Sequence, residues 1–434
     1  MRFVDLLMKE VEASRDELLR VVLEPEDKAA FYRELLLKHW LPLPETSSSL
    51  NCTVYAVDSS DRVIELAGGG VIHIARSAAL SNRQDKARKL RLHAFYPPSD
   101  EELSEYRKLM REHLEHEVAL EAIQNLSAGD TVLIDGSIFG RMTHVFRVLR
   151  IPGREDFMFN YIETFQALLE TCIKKNILLL GVAKDSRSTL LKDALLTELL
   201  LKKIEKYDPE TQLKIIALLR NLHREIRTVS EIARKIPDIV YEKIRYILKE
   251  LLYRMPDYKL IMTSRVGTGY SHPLRLELSR VSSGFVEMIF TPKQRAKLAR
   301  KIVANLPAGK ADEQRTHKTL EHIASYPPVT VLYVKFTEND LPLRVDVVHR
   351  DIKEWQIEEY TGFVVKGWKQ VVIRCLGLLS SLYAGLKNYN VLLTCVDQYV
   401  KFTRQSRDYY KSKIESSLNT LIQQSRGVRR VSFP

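Results

Sequence analysis

The chain has 434 residues, 45% hydrophobic and 28% charged, and its 67 Lys plus Arg against 55 Asp plus Glu leave a formal charge of +12. This length suits roughly two to three domain-sized units, and the composition excludes a disordered or low-complexity protein. The basic excess permits a polyanionic partner, nucleic acid or an anionic surface.

The opening MRFVDLLMKEVEASRDELLR is charged from its second residue and has neither an uninterrupted apolar core nor a small-residue cleavage site, so it is read as amphipathic helix rather than secretory signal. With DKAAFYRELLLKHW it forms a helical arm over 1–48, ending at LPLPE. Three strand-like runs follow, CTVYAVD, DRVIELAG and GVIHIARSAAL, the last two joined by Gly68, Gly69 and Gly70 as a hairpin. A basic loop over 81–98 leads to a long helix opened by Ser99 and ending at Ala128-Gly129. DTVLIDGSI then reads as a buried strand ending in Asp135, followed by a helix around 160–175 and the strand ILLLGVAKDS.

Residues 187–256 are continuously helical in pattern and are read as an insertion, which splits an α/β core into 49–186 and 257–434. Within it, VSEIARKIPDIVYEKIRYILKELL has a helix-turn-helix rhythm that core-forming helical hairpins share. Strands return in YKLIMTSRV, LRLELSR and GFVEMIFT, a basic helix starts at Lys293, strands VTVLYVKFT and LPLRVDVVH follow, and two helices close the chain. VVIRCLGLLSSLYAGL, the most apolar long stretch, carries Arg374 and is too short to span a membrane, so a cytoplasmic protein without membrane association is expected. Cys52, Cys172, Cys375 and Cys395 form no C-x-x-C pair and read as small buried residues.

A strand reaching Asp58, two antiparallel strands, a glutamate-bearing helix and a strand ending in Asp135 is the order of an RNase H-like domain. Neighbouring strands would bring two carboxylates together and the helix a third. Such a gathering of anions calls for divalent cations with hard oxygen ligands, manganese or magnesium. Two such ions serve phosphodiester cleavage by activating water and stabilising the leaving oxygen. Helical phase selects Glu115, because Val118, Ala119, Ala122 and Leu126 share its face; Glu117, beside Leu120, Glu121 and Gln124, is the alternative. Asp61 reads as a turn acid, and Asp346 in LRVDVV as either a strand-face acid aimed at the site or a solvated edge residue.

YAVDSS, the Glu115 helix, VLIDGSI, LLLGVAKDSRS and LPLRVDVV, in this order, resemble the NurA family of prokaryotic DNA nucleases. The resemblance implies an RNase H-like core, with Asp58, Glu115 and Asp135 as metal ligands. It also implies manganese-dependent cleavage of single- and double-stranded DNA, usually 5′ to 3′, with single-strand endonuclease activity and magnesium as an alternative ion. Lys184 and Asp185 would contact phosphate or assist the site. A homodimer would work with a HerA-type hexameric ATPase in DNA end resection for double-strand break repair, at the nucleoid. The family tends to carry an Ala-His on a late helix; here YAGLKNYNVLL places Asn390 there, with His349 or His272 as substitutes.

For DNA contact, Arg83, Arg88 and Lys89 lie in the 81–98 stretch beside Phe95 and Tyr96, a mixture that suits single strands. Lys293, Lys297 and Lys301 recur every four residues on a helix. Tyr270 and His272 sit in RVGTGYSHP, a stretch equally suited to a plain hairpin. The chain lacks G-x-x-x-x-G-K-[ST], so ATP use is assigned to a partner. A catalytically silent DNA-binding adaptor of the same fold is the alternative function. A weaker reading is an actin-like sugar kinase or ATPase, since strand-end Asp-Gly turns also cradle phosphates.

Overall fold

The structure, a computed structural model, describes residues 2–22, 26–45, 51–144, 149–184, 186–222, 236–281, 284–307, 309 and 312–424. Asp185 and the first part of the helix-turn-helix stretch lie outside them. The strands of the main sheet are β1 (Trp40–Leu41), β2 (Val54–Glu65), β3 (Val71–Ser81), β4 (Lys86–Phe95), β5 (Thr131–Asp135), β6 (Leu178–Ala183), β7 (Gly269–Ser271), β8 (Leu274–Leu276), β9 (Val329–Lys335) and β10 (Leu343–Val348). They form one 10-stranded mixed sheet in the order β1-β7-β9-β10-β6-β5-β2-β3-β4, with β8 against β9. β2, β3 and β4 make an antiparallel meander, and β5 and β6 add in parallel on the other side of β2. That is the RNase H-like arrangement, extended antiparallel by β10 and β9.

Alternation along the strands divides the core into two layers. Val54 and Ala56 face a layer that includes Val372, Leu376 and Val396, from the helices Lys369–Leu382 and Val391–Val400. Tyr55 and Val57 face the opposite layer, which includes Val118 and Ala119 of the Asp100–Ile123 helix and Phe165 of the Phe157–Lys175 helix. Leu195 of the Leu190–Ile204 helix and Ile247 of the Asp238–Leu252 helix belong to that same cluster. Lys192 is buried there, and its ammonium donates to the carbonyls of Glu250 and Tyr253. It thereby caps the carbonyl end of the Asp238–Leu252 helix, where the Glu250 carbonyl otherwise accepts only from the Tyr253 amide among the described residues.

Several elements differ from the sequence reading. CTVYAVD and DRVIELAG are one strand, β2, because it pairs without a break with β3 from Tyr55↔Ser81 to Glu65↔Val71, and Asp61, read as a turn acid, lies within it and accepts from His73. The 81–98 stretch is not a loop but edge strand β4, its alternate residues packed on the Asp100–Ile123 helix. YKLIMTSRV is mainly the helix Asp257–Thr263, and buried Asp257, Leu260, Ile261 and Ser264 have helical rather than alternating spacing. GFVEMIFT contributes the helix Gly284–Phe290, with Val286 and Ile289 buried three apart. Among the described residues, three α-helices rather than two follow β10, the third being Arg404–Leu418.

Candidate active site

Register creates the site. β2 and β5 pair in parallel from Val54↔Thr131 to Val57↔Ile134, so Asp58 and Asp135 are the next residues on adjacent strands. There β5 ends and β2 continues, paired only with β3. Alternation turns Asp58 and Asp135 toward the Val391–Val400 side, and Ser59 toward the Asp100–Ile123 helix. Ser59 donates its hydroxyl to Glu115 on that helix. Asp58, Glu115 and Asp135 line one cleft of about 660 Å³, with Lys108, Arg111 and Arg141 among its cations.

The turn after β5 is fixed from behind. Gly136 has φ 105, the left-handed region that favours glycine. A side chain at Gly181 of β6 would meet the Gly136 carbonyl at 2.6 Å, so that strand must be bare where the turn crosses it. Asp346, completely buried, accepts from Ser137 Oγ at 2.6 Å, the Phe139 amide at 2.9 Å and Arg344 Nε at 2.7 Å. It is therefore neither a site-facing acid nor a solvated edge residue but the anchor of the turn behind the cleft.

Arg141, on the short helix Ile138–Met142, is buried and donates to Glu115, to His116 Nε2 at 3.0 Å and to the Asp135 carbonyl at 3.2 Å. Burial pushes the Glu115 carboxyl up, with Arg141 and Ser59 opposing. Asp58 has no such cation: burial first, then Glu115 and Asp135, raise it to about 8, and Asp397 adds to the effect. Burial also pushes Glu112 up, but His144, Arg141 and Tyr161 overcome it and hold that carboxyl at about 2. Asp135 lies 3.4 Å from Lys184 Nζ and accepts from the Tyr389 hydroxyl at 3.4 Å, while Lys184 sits 4.4 Å from the Tyr389 ring centre. Among the described residues, no three His, Cys, Asp or Glu side chains already stand as a metal-ligand set.

Glu117 turns away from the cleft to Arg91, 2.9 Å distant, and His113. Asn390 is buried and caps the Val391–Val400 helix by accepting from the Leu393 amide, so it does not stand at the site. On that helix Asp397 shares a face with Leu393 and Val400, which are buried. His349 caps the Arg350–Glu354 turn, and His272 donates to the Val364 carbonyl at 2.7 Å. Neither lines the cleft.

Tyr270 corrects a second expectation. It is only 6% exposed and packs against Trp368, so its ring is closed to a base, as His272 is closed by its carbonyl bond. Tyr270→Ala is expected to destabilise the fold by about 3 kcal/mol in denaturant titration and to leave DNA affinity unchanged. Weakened DNA binding by a variant of undiminished stability would reverse that assignment. Arg83 is exposed in the β3–β4 turn, Arg88 lies 5.7 Å from the Tyr399 ring centre, and Lys89 pairs with Glu121 at 2.8 Å. Lys293, Lys297 and Lys301 are exposed on the Pro292–Ala304 helix. None of these six cations lines the cleft. Sequence reasoning missed Arg141, Tyr389 and Asp397, which belong to no recognisable spacing and join the carboxylates only through the fold.

The NurA domain family model matches residues 52–402. The fold is similar to that of the NurA nuclease from Sulfolobus solfataricus, at 12% identity and a TM-score of 0.52, covering 96% of this chain and 97% of that one. Also similar are a NurA with manganese (14% identity, TM-score 0.39, 93% and 98% covered) and a NurA bound to dAMP and manganese (15%, 0.37, 95% and 96%). No curated protein sequence matches the chain. With the family model spanning most of its length, the chain belongs to the NurA family of nucleases.

Proposed function

We propose that the chain, a NurA-family nuclease, hydrolyses DNA phosphodiesters with manganese, magnesium being the alternative ion. The observation that carries this reading is Asp58, a buried carboxylate beside Glu115 and Asp135 with no basic partner of its own among the described residues. A divalent cation would neutralise these carboxylates, and their all-oxygen donors suit manganese or magnesium. The residues fit: Asp58 and Asp135 would hold the ion, with Glu115 joining from the helix. When bound, divalent ions activate water and stabilise the leaving oxygen of a phosphodiester.

The chain's own groups supply the rest. Arg141 and Ser59 orient Glu115, Tyr389 and Lys184 fix Asp135, and Lys184 holds a positive charge where a phosphate would approach. In the finer reading, the enzyme is a 5′-to-3′ exonuclease on single- and double-stranded DNA with single-strand endonuclease activity. It acts as a homodimer beside a HerA-type hexameric ATPase in end resection for double-strand break repair, in the cytoplasm at the nucleoid. Its organisation is an arm over 1–48 and a nuclease core, 49–186 and 257–434, interrupted by the helical segment 187–256. Among the described residues, no helix is long and apolar enough to cross a membrane.

The test is degradation of labelled single- and double-stranded DNA with manganese, magnesium or chelator, by the wild type and Asp135→Asn. Manganese-dependent loss of DNA, reduced about a thousandfold in a folded Asp135→Asn variant, is expected. Intact DNA after incubation with folded wild type, alone and with its ATPase, would leave a DNA-binding adaptor.

A further inference from the structure

Beyond Asp135, no described strand pairs with β2 on the side that β5 occupied until Gln423 and Gln424 meet Ala67 and Leu66, so Asp58–Glu65 presents a strand edge leading away from the cleft. Cations border that edge. Arg107, Lys108 and Arg111 follow one another along the Asp100–Ile123 helix, Lys108 and Arg111 at the cleft. Farther along, Arg107 lines a second hollow, of about 240 Å³, with Arg62 of β2 and Arg407 of the Arg404–Leu418 helix.

Asp61 lies between the two hollows and explains how the row is held. It accepts from Arg107 Nε at 2.6 Å and His73 Nε2 at 3.0 Å, and Arg111 Nε is 3.6 Å away. Burial pushes its carboxyl up, but His73 and Arg107 overcome this and hold it at about 2. One anion thus aligns two arginines that remain about two-fifths exposed. Lys108 and Arg62 have no ion pair among the described residues, and Arg407 has only its exposed neighbour Asp408. Five cations therefore outweigh Asp61, Glu65, Asp408 and Glu112, the last already held by His144 and Tyr161, along this row.

We propose that this row is the track on which one DNA strand lies as it reaches the carboxylates, its phosphates on Arg111, Lys108, Arg107, Arg62 and Arg407. The proposal rests on the nuclease reading and adds the strand's route. The seven steps of β2 from Asp58 to Glu65 span about 23 Å, which accommodates up to about seven nucleotides at the stacked spacing of about 3.4 Å. A single file of cations matches one phosphate backbone and carries no base recognition. The track therefore serves affinity, not sequence choice.

The test is fluorescence anisotropy with labelled single strands of 4 to 20 nucleotides in chelator, across a salt series, for the wild type and Arg62→Ala/Arg407→Ala. These two side chains hold no buried partner, and Lys297→Ala/Lys301→Ala serves as a control away from the cleft. The expected result is about tenfold weaker binding of strands longer than about seven nucleotides, a smaller effect on the shortest strands, and a salt slope reduced by about 1.4. Lys108→Ala, at the helix end of the row, should weaken binding in the same sense. Unchanged affinity and slope in folded variants overturn the track. Manganese-dependent hydrolysis of bis-p-nitrophenyl phosphate, measured in parallel, separates the two readings: its absence from the wild type sinks the nuclease reading, while its retention without any change in DNA binding sinks only the track.

Discussion

Asp58→Asn is expected to raise the melting temperature of the metal-free protein near pH 8 while reducing DNA cleavage about a thousandfold. The folded structure raises this carboxyl to about 8, through burial first and then Glu115 and Asp135. Its value in the unfolded chain is about 3.9. The folded state therefore binds the extra proton, and stability associated with the group is fully present below about pH 4 and lost as pH rises toward 8. A shift of roughly four units sets a ceiling of about 5 kcal/mol, of which relaxation around the carboxylates would leave about 1–3 kcal/mol. Melting curves in chelator should show the wild type losing stability from about pH 5 to 8, with Asp58→Asn flatter and higher at the alkaline end. Manganese should raise the wild-type curve most near pH 8, where Asp58 is losing its proton, and move the variant little. A variant with the wild-type pH dependence would show that Asp58 is not the strained group.

The register that makes this site was only half legible in the sequence. YAVDSS and VLIDGSI marked Asp58 and Asp135 as acids next to buried strands, and helical phase separated Glu115 from Glu117 because one side of that helix is apolar. Pairing decides where strands end, and pairing is nonlocal: Asp58 reads as a terminus, yet β2 continues to Glu65 on its bonds to β3. The same limit converted YKLIMT from strand to helix, since a short apolar run fits either period until its neighbours are known. The charged residues were harder still. Asp346 looked like a candidate acid because a lone carboxylate among valines is costly, but its partners Ser137, Phe139 and Arg344 resolve that cost behind the site rather than in it. Cations differ in legibility for the opposite reason: Lys293, Lys297 and Lys301 recur every four residues and are visible at once, whereas Arg62 and Arg407 are far apart in sequence and meet beside one hollow only through the fold.

Arg141→Leu should unfold at a lower denaturant concentration by the equivalent of about 3–5 kcal/mol, because it strands Glu115 as a buried charge without its partner. Arginine and glutamate here are each about 95% buried, so solvent screening cannot soften the loss. Adding Glu115→Gln should recover most of that stability, since the double variant buries no unmatched charge; their coupling in a double-mutant cycle is expected to exceed about 2 kcal/mol. Equal and additive losses would mean that Arg141 acts through packing alone. The comparison also bears on the metal reading, because Arg141 and a divalent ion would neutralise the same carboxylate. In Arg141→Leu, Glu115 keeps Ser59 but loses its guanidinium partner, so manganese should stabilise this variant more than the wild type and restore part of the lost midpoint. Arg141→Leu/Glu115→Gln should lose that extra response. If manganese stabilises Arg141→Leu no more than the wild type, Glu115 belongs to the arginine and not to the ion, and the metal rests on Asp58 and Asp135.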